Sequence, residues 1–333
     1  MRKFFGKLFM YIAITFIVLG IVVASITSAA NSDAAVNKPM KVETYKDSIS
    51  AVTMCNLAAE ASKGELLTIY EKHMDFKDNN VKGWSFIEEH YFDDGLSYAL
   101  WVNNFRRSTY CLVYAGTDEI KDMKDYIPME TKEERSSQTQ NAAKIVPEVA
   151  ETVARKHAED PVKYGALDYL IINGHSLGGY LAMYIASDLV DSVVLENPNV
   201  LVGVKDLGWN DVDTQEEIDA KLRCFTIGAP GMHFRKPLLG IEQTSWQKQK
   251  VDANDKKIYH TVITQYVNLG DIVPTLLSEH LDHIGRKVVM RKPKVSFATK
   301  TTFFNKHRSV VGFGASYLIY YHMPWVYVNL LSR

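Results

Sequence analysis

The sequence predicts an α/β domain with a mostly parallel central sheet flanked by helices. Three observations predict it. Strand-like apolar runs alternate with helical segments along most of the chain, the pattern that builds a sheet with helices packed on it. The run Leu167-Asp168-Tyr169-Leu170-Ile171-Ile172 is almost continuously apolar or aromatic, as a parallel strand covered on both faces requires. It leads through Asn173 into Gly174-His175-Ser176-Leu177-Gly178-Gly179 and then Tyr180-Leu181-Ala182-Met183-Tyr184-Ile185-Ala186. That stretch reads as a strand, a sharp turn carrying a serine, and a helix. At 333 residues and 47% hydrophobic, the chain can bury one substantial core.

The chain opens on Arg2, Lys3 and Lys7, then an uncharged stretch from Leu8 to Ile26 and the small residues Thr27-Ser28-Ala29-Ala30. Residues 1–30 are expected to be a signal peptide or an N-terminal membrane anchor. The run is longer than most signal cores and close to the minimum for a membrane span, and it lacks the polar face of a packed core helix. Either way, positive charge ahead of it holds that end in the cytoplasm and the rest is exported, secreted or held at the membrane. Residues 31–47, polar and small, read as a linker, and 48–333 as the folded domain. From Ser48 to Tyr70, Ala51, Met54, Leu57, Ala58 and Ala61 recur at helical spacing.

Residues 97–104 and 109–115 alternate or run apolar around Asn103–Ser108, which predicts a hairpin-like pair. Residues 137–158 predict an amphipathic helix with Ala142, Ile145, Val146, Val149 and Val153 on one side. After the serine turn and its helix comes a short apolar run, Ser192–Leu195, then a polar, acidic stretch at 204–221. Leu222–Ile227 reads as a strand ending in the loop Gly228-Ala229-Pro230. Residues 240–259 are hydrophilic and are expected to form a surface insertion. Thr261–Leu269 and Lys287–Met290 are further strands, and Tyr317–Trp325 is aromatic and apolar.

Net charge is -1, and no basic stretch is interleaved with aromatics, so nucleic acid is not an expected partner. Three cysteines, Cys55, Cys111 and Cys224, make no disulfide framework; Cys111 and Cys224 sit in apolar runs and are expected to be small buried hydrophobes. No Cys/His cluster has zinc-ligand spacing, so a metal is not implied.

The serine turn carries the chemistry. A strand–turn–helix with Gly-x-Ser-x-Gly is the nucleophile elbow of an α/β-hydrolase. The turn strains the serine backbone, and glycines at 174 and 178 leave room for it. A serine hydroxyl is a weak nucleophile and needs a histidine base oriented by a carboxylate, in the chain order Ser, acid, His. Asp271 fits the acid: it follows the strand ending at Leu269-Gly270, whereas Asp206, Asp211, Asp213 and Asp219 lie in a charge-rich, solvated stretch. The base must follow, from His280, His283, His307 or His322. His322 is preferred because its neighbours Tyr320, Tyr321, Pro324 and Trp325 keep an imidazole neutral; His307, among cations, is second. Oxyanion donors are expected from the backbone N–H of Leu177 and from Thr117, in the loop after Leu112–Ala115.

Together these residues resemble the class 3 (fungal-type) lipase family of α/β-hydrolases. Gly174–Gly179 matches its elbow. Val113-Tyr114-Ala115-Gly116-Thr117, with Asp122 and Asp125 following, looks like its oxyanion strand and loop, although Ala115 stands where arginine is common and Met123 where tryptophan is frequent. Phe225–Pro230 is similar to the segment after the elbow. Val267–Pro274 resembles the acid motif, His283-Ile284-Gly285 a non-catalytic histidine segment, and His322–Tyr327 the closing histidine motif, with Pro324 a departure. The resemblance covers roughly residues 95–327 and favours His322 over His307. It implies hydrolysis of ester bonds in acylglycerols or related lipids without a cofactor, contact with a lipid interface, and a lid near 118–130. The longer segment between Ser176 and Asp271 leaves open a phospholipase or acyltransferase using the same triad. An inactive surface binding protein on this scaffold is the alternative from another class.

Overall fold

The computed structural model describes residue 57 and residues 83–116, 135–234, 244–268, 271–275, 281–290 and 326–327. The expected signal or anchor segment (1–30), the expected linker (31–47) and the expected lid (118–130) lie outside the described residues, as does the stretch 48–70 expected to be helical, apart from Leu57, which is helical and buried.

Seven strands form one sheet: β1 Trp84–Tyr91, β2 Ser97–Asn103, β3 Thr109–Tyr114, β4 Tyr169–His175, β5 Leu222–Ile227, β7 Ile263–Asn268 and β9 Arg286–Met290, in the order β1-β2-β3-β4-β5-β7-β9. The short strands β6 His233–Phe234 and β8 Leu281–Asp282 pair separately. The first three strands are antiparallel and the rest of the sheet is parallel. Helix α1, Ser137–Glu159, joins β3 to β4, and α2, Leu177–Val194, follows β4; α3, Gln215–Lys221, precedes β5, and α4, Ser245–Asp255, lies between β5 and β7. This is the expected α/β-hydrolase arrangement, a mostly parallel sheet flanked by helices.

Local chemistry explains the elements. The β2–β3 hairpin turns where the Asn103 side-chain oxygen accepts the N–H groups of Phe105 and Arg106, both at 2.9 Å, an Asx turn. Helix α1 begins where Ser136 accepts the N–H of Thr139, and it buries the expected Ala142, Ile145, Val146, Val149 and Val153. These pack with Leu112, Leu170, Ile172, Cys224 and most of α2 on one face of the sheet. The other face carries Cys111, Val113, Ile171, Phe225, Ile227 and Tyr266, covered by the helical residues Leu57 and Tyr327. Cys111 and Cys224 are buried free thiols, and burial pushes both up in pKa.

Three features depart from the sequence reading. Helix α2 continues through Val194 and absorbs the apolar run after it; it is long and apolar enough to cross a membrane, but 89% of it is buried in the core. Strand β1 has no counterpart in the sequence reading, because as an edge strand it is mostly half-exposed or exposed and carries Glu88, Glu89 and His90. The expected surface insertion at 240–259 is corrected. Helix α4, capped by reciprocal bonds between Thr244 and Gln247, buries Trp246, Gln247, Lys250, Ala253 and Asn254, and Tyr259 behind it is fully buried. Its hydrophilic character hides an internal ion cluster. Lys250 Nζ lies 2.7 Å from Asp188 Oδ1 and 2.6 Å from Asp191 Oδ2, both on α2, and the Tyr259 hydroxyl donates to Asp191 Oδ1 at 2.7 Å.

Candidate active site

Ser176 links the end of β4 to the start of α2 with φ 56 and ψ -127. A non-glycine backbone in that region is strained by about 1–3 kcal/mol and persists only where its surroundings enforce it. They do so here. The Ser176 N–H donates to the Ile227 carbonyl of β5 at 3.0 Å, and its own carbonyl accepts from Tyr180 at 3.1 Å. A Cβ at Gly174 would run into the Gly178 backbone, and one at Gly178 into the carbonyls of Tyr114 and Ala115; one at Gly179 would stand 2.8 Å from Ala229 Cβ. Helix α2 therefore sits against the carboxyl ends of β3, β4 and β5 because these positions have no side chain. Residues 174, 175, 177 and 178 are buried, and Ser176 alone among them is half-exposed.

The surroundings suit an oxyanion. Leu177 is the first residue of α2, where N–H groups have no partner within the helix. At the exit of β3, a Cβ on Gly116 would lie 2.9 Å from the His175 carbonyl and 3.5 Å from Ser176 Cβ. The β3 loop thus meets the serine directly. Thr117, next in the chain, lies outside the described residues.

Asp271 is fully buried beyond the end of β7, the second strand from β4 across β5. Its N–H closes a turn onto the Asn268 carbonyl at 2.9 Å. Its Oδ1 accepts the Val273 N–H at 2.9 Å, and its Oδ2 accepts the Tyr327 hydroxyl at 2.5 Å. That hydroxyl also receives the Asn268 N–H at 3.2 Å. The Tyr327 ring meets His175, the residue before the serine, edge-on at 6.4 Å between centroids. One buried tyrosine therefore touches both the elbow and the acid turn. Sequence reasoning placed Tyr327 in a closing motif but gave it no role; nothing local marks a phenol as the partner of a carboxylate far along the chain. The rival acids Asp206, Asp211 and Asp213 are exposed and Asp219 is half-exposed.

Of the histidines considered as base, His322, His307 and His280 lie outside the described residues. His283 is buried, and both of its ring nitrogens are engaged by Gln265 and by the Pro274 carbonyl. Among the described residues no group of three or more His, Cys, Asp or Glu side chains is arranged to hold a metal ion. A polar depression lined by Arg106, Arg107, Asp168 and Lys221 lies at the amino ends of β3 and β4, the opposite edge of the sheet from Ser176.

No family model and no curated protein matches the sequence. Among solved structures, the chain is similar to a triacylglyceride lipase of Rhizomucor miehei, at 14% identity and a TM-score of 0.43 over 72% of this chain and 78% of that one. It is similar to a lipase of Rhizopus microsporus var. chinensis at 17% identity and a TM-score of 0.43, over 72% of each chain. A third, M37 lipase, stands at 14% identity and a TM-score of 0.35 over 67% of each chain.

Proposed function

We propose that the chain is an exported serine hydrolase that cleaves acyl ester bonds of lipids through an acyl-enzyme. The observation that carries the proposal is the backbone of Ser176: φ 56 on a non-glycine residue between a parallel strand and a buried helix, held by β5 and by glycines on both sides. Strain of this kind needs a reason, and lifting one hydroxyl over the carboxyl edge of the sheet is the reason on offer. Asp271 supports the reading: it is a fully buried carboxylate that accepts from the Val273 N–H and the Tyr327 hydroxyl, and a carboxylate can accept from more than two donors.

In this mechanism Ser176 Oγ attacks the ester carbonyl carbon while His322 takes its proton. The N–H groups of Leu177 and Thr117 hold the oxyanion. His322 returns the proton to the departing alcohol, leaving an acyl group on Ser176, and water then releases the acid by the same steps in reverse order. Asp271 fixes the imidazole and balances its charge. The resemblance of the Ser176, Asp271 and His322 motifs to class 3 lipases points to acylglycerols or related lipids. The apolar stretch behind Arg2 and Lys3 supports export and a working position at a membrane or lipid interface.

The test is Ser176→Ala against wild type, read by hydrolysis of short- and medium-chain p-nitrophenyl esters and by labelling with a fluorophosphonate probe. Wild type is expected to hydrolyse and to label; the variant is expected to fold and do neither. Folded wild type that neither labels nor hydrolyses would leave a binding protein on a hydrolase scaffold.

A further inference from the structure

We propose that His283 is held as an imidazolium that clamps the two stems of the turn carrying Asp271, and that it is a positioning residue for the acid. The inference rests on the hydrolase reading only for its kinetic consequence. Its structural part rests on a string of hydrogen bonds. Gln265, buried on β7, donates its side-chain N–H to the Ile284 carbonyl. Its Oε1 lies 2.6 Å from His283 Nδ1. His283 Nε2 lies 3.0 Å from the Pro274 carbonyl.

The polarity of this string fixes the protons. A glutamine amide passes polarity along, offering a donor at one end and an acceptor at the other, and a neutral imidazole does the same. Two such relays in series need a donor at one end of the string and an acceptor at the other. Here both ends are backbone carbonyls, which only accept. Gln265 donates to Ile284, so its oxygen faces Nδ1; Pro274 presents its oxygen to Nε2. Every bond is satisfied only if both ring nitrogens carry protons. With a neutral ring, two lone pairs would face each other inside the protein, at a cost comparable to a lost buried hydrogen bond.

The clamp is placed to matter. Gln265 lies in β7 just before Asn268, whose carbonyl closes the turn, and Pro274 lies just after Val273, whose N–H holds Asp271 Oδ1. The ring therefore ties the strand entering the acid turn to the segment leaving it. Its own segment is fixed in turn. The Asn254 side chain of α4 donates to the His283 carbonyl at 3.3 Å and accepts the Gly285 N–H at 2.8 Å. A Cβ at Gly285, where φ is +83, would stand 2.6 Å from the Ile263 carbonyl oxygen.

The experiment is imidazole 15N NMR of the full chain at pH 7.5, where an ordinary histidine is mostly neutral, with His283 assigned by its loss in His283→Asn. Two protonated nitrogens are expected; one bare nitrogen overturns the proposal, whatever the enzyme does. Gln265→Met provides a second reading that survives if His283→Asn does not fold. With no acceptor at Nδ1, the ring is expected to give up one proton at pH 7.5, and a ring that stays doubly protonated overturns the polarity argument. Where His283→Asn folds, kcat for ester hydrolysis is expected to fall about tenfold to a hundredfold with KM unchanged, the effect of a displaced acid. An unchanged kcat overturns the positioning role. The NMR readouts need no activity, so failure of the hydrolase reading and failure of the clamp are told apart.

Discussion

Removing the cation from the cluster under α2 tests whether α4 belongs to the core. Lys250, Asp188 and Asp191 have side chains 4%, 2% and 0% exposed, and the carboxylates also accept from Leu201 N–H at 2.8 Å and the Tyr259 hydroxyl at 2.7 Å. Lys250→Met keeps the aliphatic stem against Tyr184 and Tyr259, whose rings lie 5.6 and 5.9 Å from the ammonium, and deletes only the charge. Breaking a buried pair in this way costs about 3–5 kcal/mol, because the remaining charges are uncompensated. For a domain of this size that corresponds to a fall in Tm of roughly 10 °C. The loss has a pH signature. Burial pushes the Asp191 carboxyl above the usual range, and Lys250 pulls it partly back; without Lys250 it rises further. A group whose folded pKa is raised favours the folded state below its unfolded pKa, and that contribution disappears as pH rises through the folded value. The deficit of the variant should therefore shrink from pH 7.5 to pH 5. Thermal melts followed by circular dichroism at both pH values decide it. A loss below about 1 kcal/mol at pH 7.5, the size of an exposed pair, or a deficit that grows on acidification, would refute the reasoning.

Two further changes probe the site itself. Tyr327→Phe removes the hydroxyl that donates to Asp271 Oδ2 and should cost about 1.5–3 kcal/mol in urea unfolding, the range for a hydrogen bond to a charged group; on the hydrolase reading kcat also falls while KM holds. Gly178→Ala drives a Cβ into the carbonyls of Tyr114 and Ala115 and should cost at least about 1–3 kcal/mol, since backbone cannot give way as a side chain would. A Gly178→Ala protein as stable as wild type would mean that α2 does not approach β3 this closely.

What the sequence made legible is what is local. The strand–turn–helix around Ser176 could be read because strand, glycine, serine, glycine and helix are consecutive, and each is required by the residue beside it. The place of Asp271 at a strand end could be read because it closely follows the apolar run of β7. Tyr327 could not be assigned to Asp271: the two lie 56 positions apart, and in sequence its phenol is one more aromatic near the C-terminus. Helix α4 read as surface because Lys250, Gln247 and Asn254 look solvated; the carboxylates that neutralise Lys250 stand on α2, 59 and 62 positions away. Buried polar groups defeat pattern reading because their partners, not their own type, decide where they go.

The elbow and the acid turn are anchored on different strands, so their separation is a matter of register. Ser176 N–H is tied to Ile227 at the end of β5, and Gly228 N–H to Tyr266 on β7 at 3.0 Å; Ile227 stands opposite Tyr266 in the ladder. A slip of one residue between β5 and β7 would carry Asp271 about 3.3 Å along the strand; on the hydrolase reading that is well past the roughly 1 Å that costs a hundredfold in rate. The sheet resists that slip through its faces. Phe225, Ile227 and Tyr266 lie on the side covered by Leu57 and Tyr327, while Cys224 and Ile263 lie on the side of α2. A one-residue shift would put each set opposite the wrong partners. Packing on the two faces of the sheet thus sets how far Asp271 stands from Ser176.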